Sequence, residues 1–510
     1  MFKAVTAHSI ESGTRDIVDD LVGGANVKLG IYRPSTGIFY TSAFHDTEKF
    51  QDILKGISEA FPGIEIVGGT VVAGFTDDSD YIKDGYFLCL FVSNTATFVT
   101  GRIRNVAALI ESQNFSQTFS SYLKENSSDK DPVACFIWTS YHNVDGDKLI
   151  DSVQGGLPEN CLVFGGMAGD YWTEEDVVNF SKRTPPAEKS LLFFARSGVI
   201  DVEEDALVFL LFEGDLTVRY SICNSWSDIG MLYPARGDGT VLTEIDGKEP
   251  RTFLRELKHP LALEDQSNAL YSPWVHVPGK DPYIRDLFFD SVTGNYYTMG
   301  ANLPSRFQVS FSFPKKEKVL EEFHNSLCGL GSQQSLVIAT TCCTHMAVLG
   351  QDISKQYSDM ARVFHRTPTI CGYVFGEFGP SMTNRESILH SCSSILLSLQ
   401  EKEHGRHESQ DSIASFFDGI IREQGNEIKS LQKQLRFFEG SKNTKMKKLT
   451  EDCLGMLLCR SHKSVSSHAE QMSDTLKAYY KENGTEPPYA TSRNRLIDHL
   501  MTLKKLAEKF

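Results

Sequence analysis

Three short stretches carry residues whose types and spacing could do chemistry. Residues 161–171 read Cys-Leu-Val-Phe-Gly-Gly-Met-Ala-Gly-Asp-Tyr, a short apolar run entering Gly165-Gly166. Paired glycines lack Cβ atoms, so the backbone can take unusual φ values and a ligand can approach closely. Their N–H groups then suit a carboxylate or a phosphate. Ile64–Val67 runs in the same way into Gly68-Gly69-Thr70, and Ile370–Phe375 runs into Gly376-Glu377-Phe378-Gly379. A third kind of chemistry is conceivable at Cys342-Cys343-Thr344-His345, where Cys343 and His345 could be read as nucleophile and base. Two residues apart on a strand end, such a pair arises often by chance. No Gly-x-Ser-x-Gly, Walker loop or His-Glu-x-x-His accompanies it, so the expectation is a protein that is not an enzyme.

The elements that must position these residues recur in one order. Val27–Tyr32 reads as a strand, and Asp46–Phe61 as a helix with Phe50, Ile53, Leu54 and Ile57 on one face. Pro62-Gly63 stops that helix, and the strand into Gly68-Gly69 follows, then Gly85–Val92. The order returns as strand Val133–Thr139, helix Asp145–Gln154, a Pro158 break and the strand into Gly165-Gly166, followed by Ser190–Arg196 and Ala206–Phe212. A looser third copy runs through Ser335–Thr341, Asp352–Phe364, Ile370–Phe375 and Ser391–Leu399. Val218–Pro314 between them is rich in short alternating strands, with Val241–Gly247 as a hairpin arm ending in Asp-Gly. Repetition of this kind implies duplication. The expected fold is mixed α/β and α+β, with duplicated βαβ-type halves forming a two-lobed core.

Composition bounds the function. The 510 residues exceed what one core supports, and 41% hydrophobic with 23% charged residues suits a globular protein. A net charge of −15 argues against duplex nucleic acid and anionic membranes as partners. The longest apolar runs are strand-sized, and the opening residues Met1–His8 show no signal-type apolar core. Eleven cysteines without a Cys-x-x-Cys pair read as reduced thiols, so the expected location is cytoplasmic and no metal is expected.

Several of these segments resemble the FIST sensory proteins, which carry paired FIST N and FIST C domains. The resemblance rests on Gly68-Gly69, on Gly165-Gly166-Met-Ala-Gly-Asp170, and on Val-Leu-Thr-Glu-Ile-Asp-Gly at 241–247. It rests further on Gly372-Tyr-Val-Phe-Gly-Glu-Phe-Gly-Pro380 followed by Leu389-His390. Ser391 and the Cys342–His345 segment depart from the family pattern, so ligand identity is not carried over. The resemblance implies a FIST N-like domain over 1–215 and a FIST C-like domain over 216–400, sensing a small ligand such as an amino acid or related metabolite. For such a ligand, backbone N–H groups at Gly68, Gly69, Thr70, Gly165, Gly166 and Gly376 or the Arg285 guanidinium suit the carboxylate. Asp170 and Glu377 suit the ammonium, and His390 is a further candidate contact. A subset of such proteins is similar to haem-based nitric oxide sensors regulating a separate histidine kinase or cyclic-di-GMP enzyme. Here His390 or His345 would be the axial ligand of a non-covalent haem. A scaffold without a sensing role is the remaining alternative.

Beyond 400 the chain changes character. Ala414, Phe417, Ile421, Gln424, Ile428, Leu431, Leu435 and Phe438 alternate three and four apart, as a coiled-coil seam requires. The expectation is a linker and coiled coil over 401–440, a homodimer through 414–438, and a helical module over 441–510 that docks on a separate signalling protein.

Overall fold

The computed structural model describes residues 2–402, except 142–143, 174–189, 229–230, 258–271, 291–292, 299, 332–333, 366 and 382–384. The expected coiled coil and helical module lie outside the described residues. Residues 1–402 form one compact unit.

Its scheme is a parallel β-helix-β pair used three times. The first pair is β2 (Thr36–Thr41) and β3 (Glu65–Thr70), joined by the helix Thr47–Ala60. That helix forms because Asp46 caps it, its carboxylate accepting from Lys49 N at 3.0 Å. Phe50, Ile53, Leu54 and Ile57 bury one face against the sheet, each contributing roughly 1.5–3 kcal/mol of burial. The second pair is β7 (Pro132–Thr139) and β8 (Leu162–Met167), joined by the helix Gly146–Gln154. The third is β21 (Leu336–Cys342) and β22 (Thr369–Val374), joined by the helices Thr344–Leu349 and Ser354–Val363.

In each pair the first strand also takes an antiparallel neighbour: β5 (Tyr86–Ser93) on β2, β11 (Ala206–Gly214) on β7, and β25 (Ser393–Glu401) on β21. The strand that follows each pair then leaves for another sheet. β4 (Ala73–Thr76) follows β3 but pairs with β22. β9 (Leu192–Arg196) follows β8 but pairs with β3. β23 (Gly376–Pro380) follows β22 but pairs with β8. β1 (Phe2–Ser9), β6 (Ala96–Arg104), β10 (Val199–Glu203), β12 (Leu216–Asn224) and β24 (Ser387–His390) complete the three sheets. A fourth sheet of eight strands, β13 (Trp226–Asp228) to β20 (Phe307–Pro314), is inserted between the second and third pairs. It includes β15 (Val241–Ile245), β17 (Tyr283–Ile284) and β18 (Leu287–Phe289).

The three sheets turn one face each toward a shared core that holds Tyr40, Phe91, Phe136, Trp138, Phe164, Phe212, Ile338, Val374 and Leu397. Their other faces are covered by the connecting helices.

One expected element is replaced. Val27–Tyr32 is not a strand: a helix runs Thr14–Leu29, and Val27 and Ile31 are exposed. Ile17, Leu21, Ala25 and Leu29 are buried at four-residue spacing, and that stripe outweighs the local run Val-Lys-Leu-Gly-Ile-Tyr.

Candidate functional site

The glycine pairs lie inside strands. Gly68 and Gly165 have φ of +153° and +142°, and a Cβ on either would sit 1.9 Å from Phe39 O or 1.8 Å from Ile137 O. The neighbouring glycines share one centre. Gly69 is opposite Tyr40, Gly166 opposite Trp138 and Gly372 opposite Thr340. Cβ atoms built on Gly69, Gly166 and Gly372 would lie 2.7, 3.2 and 3.6 Å from the Trp138 ring. Tyr40 stacks on that ring at 4.7 Å. An indole therefore fills the space where the glycine rims converge. By register, the counterpart of Gly69 and Gly166 in the third pair is Gly372, not Gly376. Gly376 instead pairs with Met167, and a Cβ there would meet Leu389 and Met167.

Thr70 fastens one strand end to the next. Its Oγ1 donates to Gly169 O at 2.6 Å and accepts from Leu191 N at 3.0 Å, while Gly169 N donates to Thr70 O at 3.1 Å. The fully buried Asp170 follows directly.

A cluster of acids, thiols and aromatic rings gathers at the carboxyl ends of β7, β8 and β21. In α/β sheets, strand carboxyl ends are where ligands collect. Glu377, on β23, is fully buried; its Oε2 accepts from Ser393 Oγ at 2.8 Å and Ser393 N at 3.3 Å. Its Oε1 is buried without a hydrogen-bond partner. Burial, followed by the charge of Cys342, holds this carboxyl well above the usual carboxylate range. Asp286, between β17 and β18, accepts from Ser272 Oγ at 2.7 Å and Cys392 Sγ at 2.9 Å. Burial of its carboxyl, and then the charge of Cys342, push it up to about 7. Asp286 is only partly buried as a residue, while its carboxyl is enclosed.

Tyr141 faces this cluster. Burial raises its hydroxyl, and the charges of Asp286, Cys343, Tyr297 and Asp170 add to the shift. Its ring lies 4.6 Å from Phe375, which lies 5.6 Å from Trp172. Sequence reasoning missed Tyr141, Asp286 and Phe375. The position of Tyr141 two residues beyond β7 was the available signal, because the second pair's strand ends were already singled out.

Arg285 is fully buried; its two terminal nitrogens are engaged and its Nε has no hydrogen-bond partner. Its Nη2 donates to both oxygens of Asp147 at 2.6 and 2.8 Å, its Nη1 donates to Leu389 O at 2.9 Å, and its guanidinium lies over the Tyr283 ring at 4.2 Å. It clamps the first turn of the helix Gly146–Gln154. His390 donates from Nε2 to Pro380 O at 2.8 Å, and burial pushes its pKa down to about 4, so it is neutral at pH 7. His345 is held at both nitrogens: Gln356 Nε2 donates to Nδ1 at 2.9 Å, and Nε2 faces Cys392 O at 3.4 Å. Tyr373 OH fixes Gln356 in turn, donating to Oε1 at 2.9 Å, and Trp226 stacks on the His345 ring at 5.6 Å. His345, engaged at both ring nitrogens, does not fit an axial haem ligand.

A separate concavity of about 300 Å³ is lined by Arg102, Tyr122, Phe194, Arg196, Ser197 and Val199. Its arginines are paired with Asp201, Glu203 and Glu65, so it presents little net charge to a ligand.

Residues 35–248 match the FIST N domain. A FIST domain is generally a signal-transduction sensor domain. The FIST N match contains both glycine pairs, Thr70, Tyr141, Asp147 and Asp170; Arg285, Glu377 and His390 lie beyond it. No curated protein matches the chain. Among the described residues, no helix is long and apolar enough to cross a membrane.

Proposed function

We propose that this chain is a signal-transduction sensor whose core binds a small amine-bearing metabolite, such as an amino acid, at the Glu377–Asp286 cluster. The observation that carries the reading is the buried, unpartnered Glu377 Oε1. A buried polar atom without a partner costs about 1–3 kcal/mol, more for a charged group, so a ligand that supplies a donor recovers that cost. Asp286 adds a second carboxyl to the same cluster, and the cation beside it, Arg285, is already engaged by Asp147. Tyr141, Phe375 and Trp172 add ring faces, which favour an ammonium. The FIST N match supports the sensing role, and the resemblance of Gly372–Pro380 to FIST C supports placing the ligand against β23.

Signal output in this reading runs through 414–438 as a dimerising coiled coil to 441–510, where a separate signalling protein docks. Binding transmits a signal only to the extent that the ligand prefers one arrangement of the core over another.

A thermal-shift screen of the full chain with amino acids, simple amines and their neutral acyl analogues tests the binding step. Ligand at 100 times its dissociation constant stabilises by about 2.7 kcal/mol, a readable rise in Tm. The expected result is a rise with an amine, none with its acylated form, and loss of the effect in Glu377→Gln. Equal shifts for amine and acylated amine would overturn the amine assignment. No shift with any compound, at a concentration that saturates typical sensors, would favour the scaffold.

A further inference from the structure

Cys343 and His345, the conceivable nucleophile and base of the sequence, are both buried, and His345 is held by Gln356 and faces Cys392 O. A thiol and an imidazole meet in better geometry on the surface. The helix Lys316–Leu330 carries His324 and Cys328 four residues apart, so both project from one face. Cys328 Sγ lies 3.5 Å from His324 Nε2. The helix Ser354–Val363 packs alongside and brings in Asp359, whose Oδ2 lies 2.9 Å from His324 Nδ1. Arg362 on that helix pairs with the other oxygen of Asp359.

An ionised carboxylate only accepts hydrogen bonds, so Nδ1 carries the imidazole proton and Nε2 turns its lone pair to the thiol. Thiol, imidazole and carboxylate in that order are the arrangement in which a base, oriented by a third group, takes the proton of a nucleophile. The thiol and the carboxylate meet different ring nitrogens, so the three side chains do not converge on one metal ion. Among the described cysteines Cys328 alone is exposed, and the His324 side chain keeps 36% of its exposure. The charged groups around the pair are Glu321, one turn before His324, with Asp359 and Arg362 on the facing helix, where Lys355 is engaged by Asp352. From β12, Arg219 Nη1 would lie 3.5 Å from a Cβ on Gly331, at the end of the helix that carries Cys328.

We propose that Cys328 is a site of reversible mixed-disulfide formation with low-molecular-weight disulfides, with His324 as its base and Asp359 as a positioning residue. The thiol passes its proton to His324 Nε2 as its sulfur attacks one sulfur of the reagent. A new S–S bond forms, the S–S bond of the reagent breaks, and the departing thiolate takes the proton from His324 and leaves as a thiol. The Cys328 sulfur loses one electron and the departing sulfur gains one. Exposure lets a reagent reach Cys328, whereas the other described thiols need the core to open first.

The test uses the full chain, reduced and then freed of reductant. Excess oxidised glutathione is added at pH 7 and at pH 9.5, samples are quenched with acid over time, and peptides are mapped by mass spectrometry without reductant. Mapping separates Cys328 from Cys453 and Cys459. The expected result at pH 7 is a glutathione adduct on Cys328 ahead of the other described cysteines, reversed by dithiothreitol. His324→Gln and Asp359→Asn are each expected to slow it about tenfold at pH 7, since an ordinary thiol is only a few per cent thiolate there. At pH 9.5 a thiol ionises without a base, and the three proteins are expected to react alike. Equal rates for wild type and His324→Gln at pH 7 overturn the proposal. A gap that persists undiminished at pH 9.5 also overturns it, because it shows altered access rather than a lost base. The wild-type adduct map stands apart from both variants, and no adduct on Cys328 overturns the site itself.

Discussion

Asp286 ties the chemistry of the cluster to stability at the level of one proton. Its carboxyl titrates near 7 in the folded chain, against about 3.9 when unfolded. Between those values the folded state holds a proton that the unfolded state has released. Stability from this group is therefore greatest at the acidic end of the window and falls as pH rises from about 4 to about 7. Asp286→Asn keeps the acceptor for Ser272 and Cys392 but removes the ionisable oxygen. The variant is expected to melt higher than wild type at pH 8, by a clearly larger margin than at pH 5. Paired thermal melts at the two pH values check this, and an unchanged wild-type-minus-variant gap would remove Asp286 as the origin. His345 and His390, each pushed down to about 4 by burial, act with the opposite sign below pH 6.5. Comparing variant with wild type isolates Asp286 from them.

At the scale of elements, the helices of the first and second pairs could be read from periodicity and punctuation. The helix predicted over Asp145–Gln154 is observed as Gly146–Gln154 with Asp145 as its cap, and Asp46–Phe61 as Thr47–Ala60. The Asp-Gly turn after 241–245 appears as Asp246 and Gly247 at φ of +52° and +73°. What the sequence could not show is which glycine meets which strand, since register is a long-range property. Gly68 and Gly165 read as glycines that let a ligand approach but serve close passage of a neighbouring strand's carbonyl. Gly165→Ala would place a methyl carbon 1.8 Å from Ile137 O, so the β7–β8 pairing must break. Gly372→Ala meets its first atom, Val71 Cγ1, at 2.8 Å, and that side chain can move. The expected order in urea unfolding is a loss of more than about 3 kcal/mol for Gly165→Ala, with Gly372→Ala clearly milder. Equal losses would mean that the clash with the Ile137 carbonyl does not set the requirement at Gly165.

At the scale of the whole molecule, the exchange of β4, β9 and β23 among the sheets decides what can fold alone. A sequence shows which segments resemble one another, but not that each copy gives its next strand to another copy. Cutting at 215, the boundary expected between the two domains, removes β22 from beside β4 and β23 from beside β8. It also takes Arg285 from Asp147, leaving that helix turn without its clamp. The shared core loses Ile338, Val374 and Leu397, and the third sheet's face against Tyr40 and Trp138 is opened to water. Strands β4 and β8 would then present unpaired edges, which favour aggregation. Residues 1–215 expressed alone are therefore expected to be insoluble or to lack a cooperative melt. Co-expression with 216–402 should restore a soluble complex, because the pieces complete each other's sheets. Purification through a tag on one fragment, followed by calorimetry, reads the outcome. A cooperative transition from 1–215 alone would show that the first two pairs suffice as a folding unit.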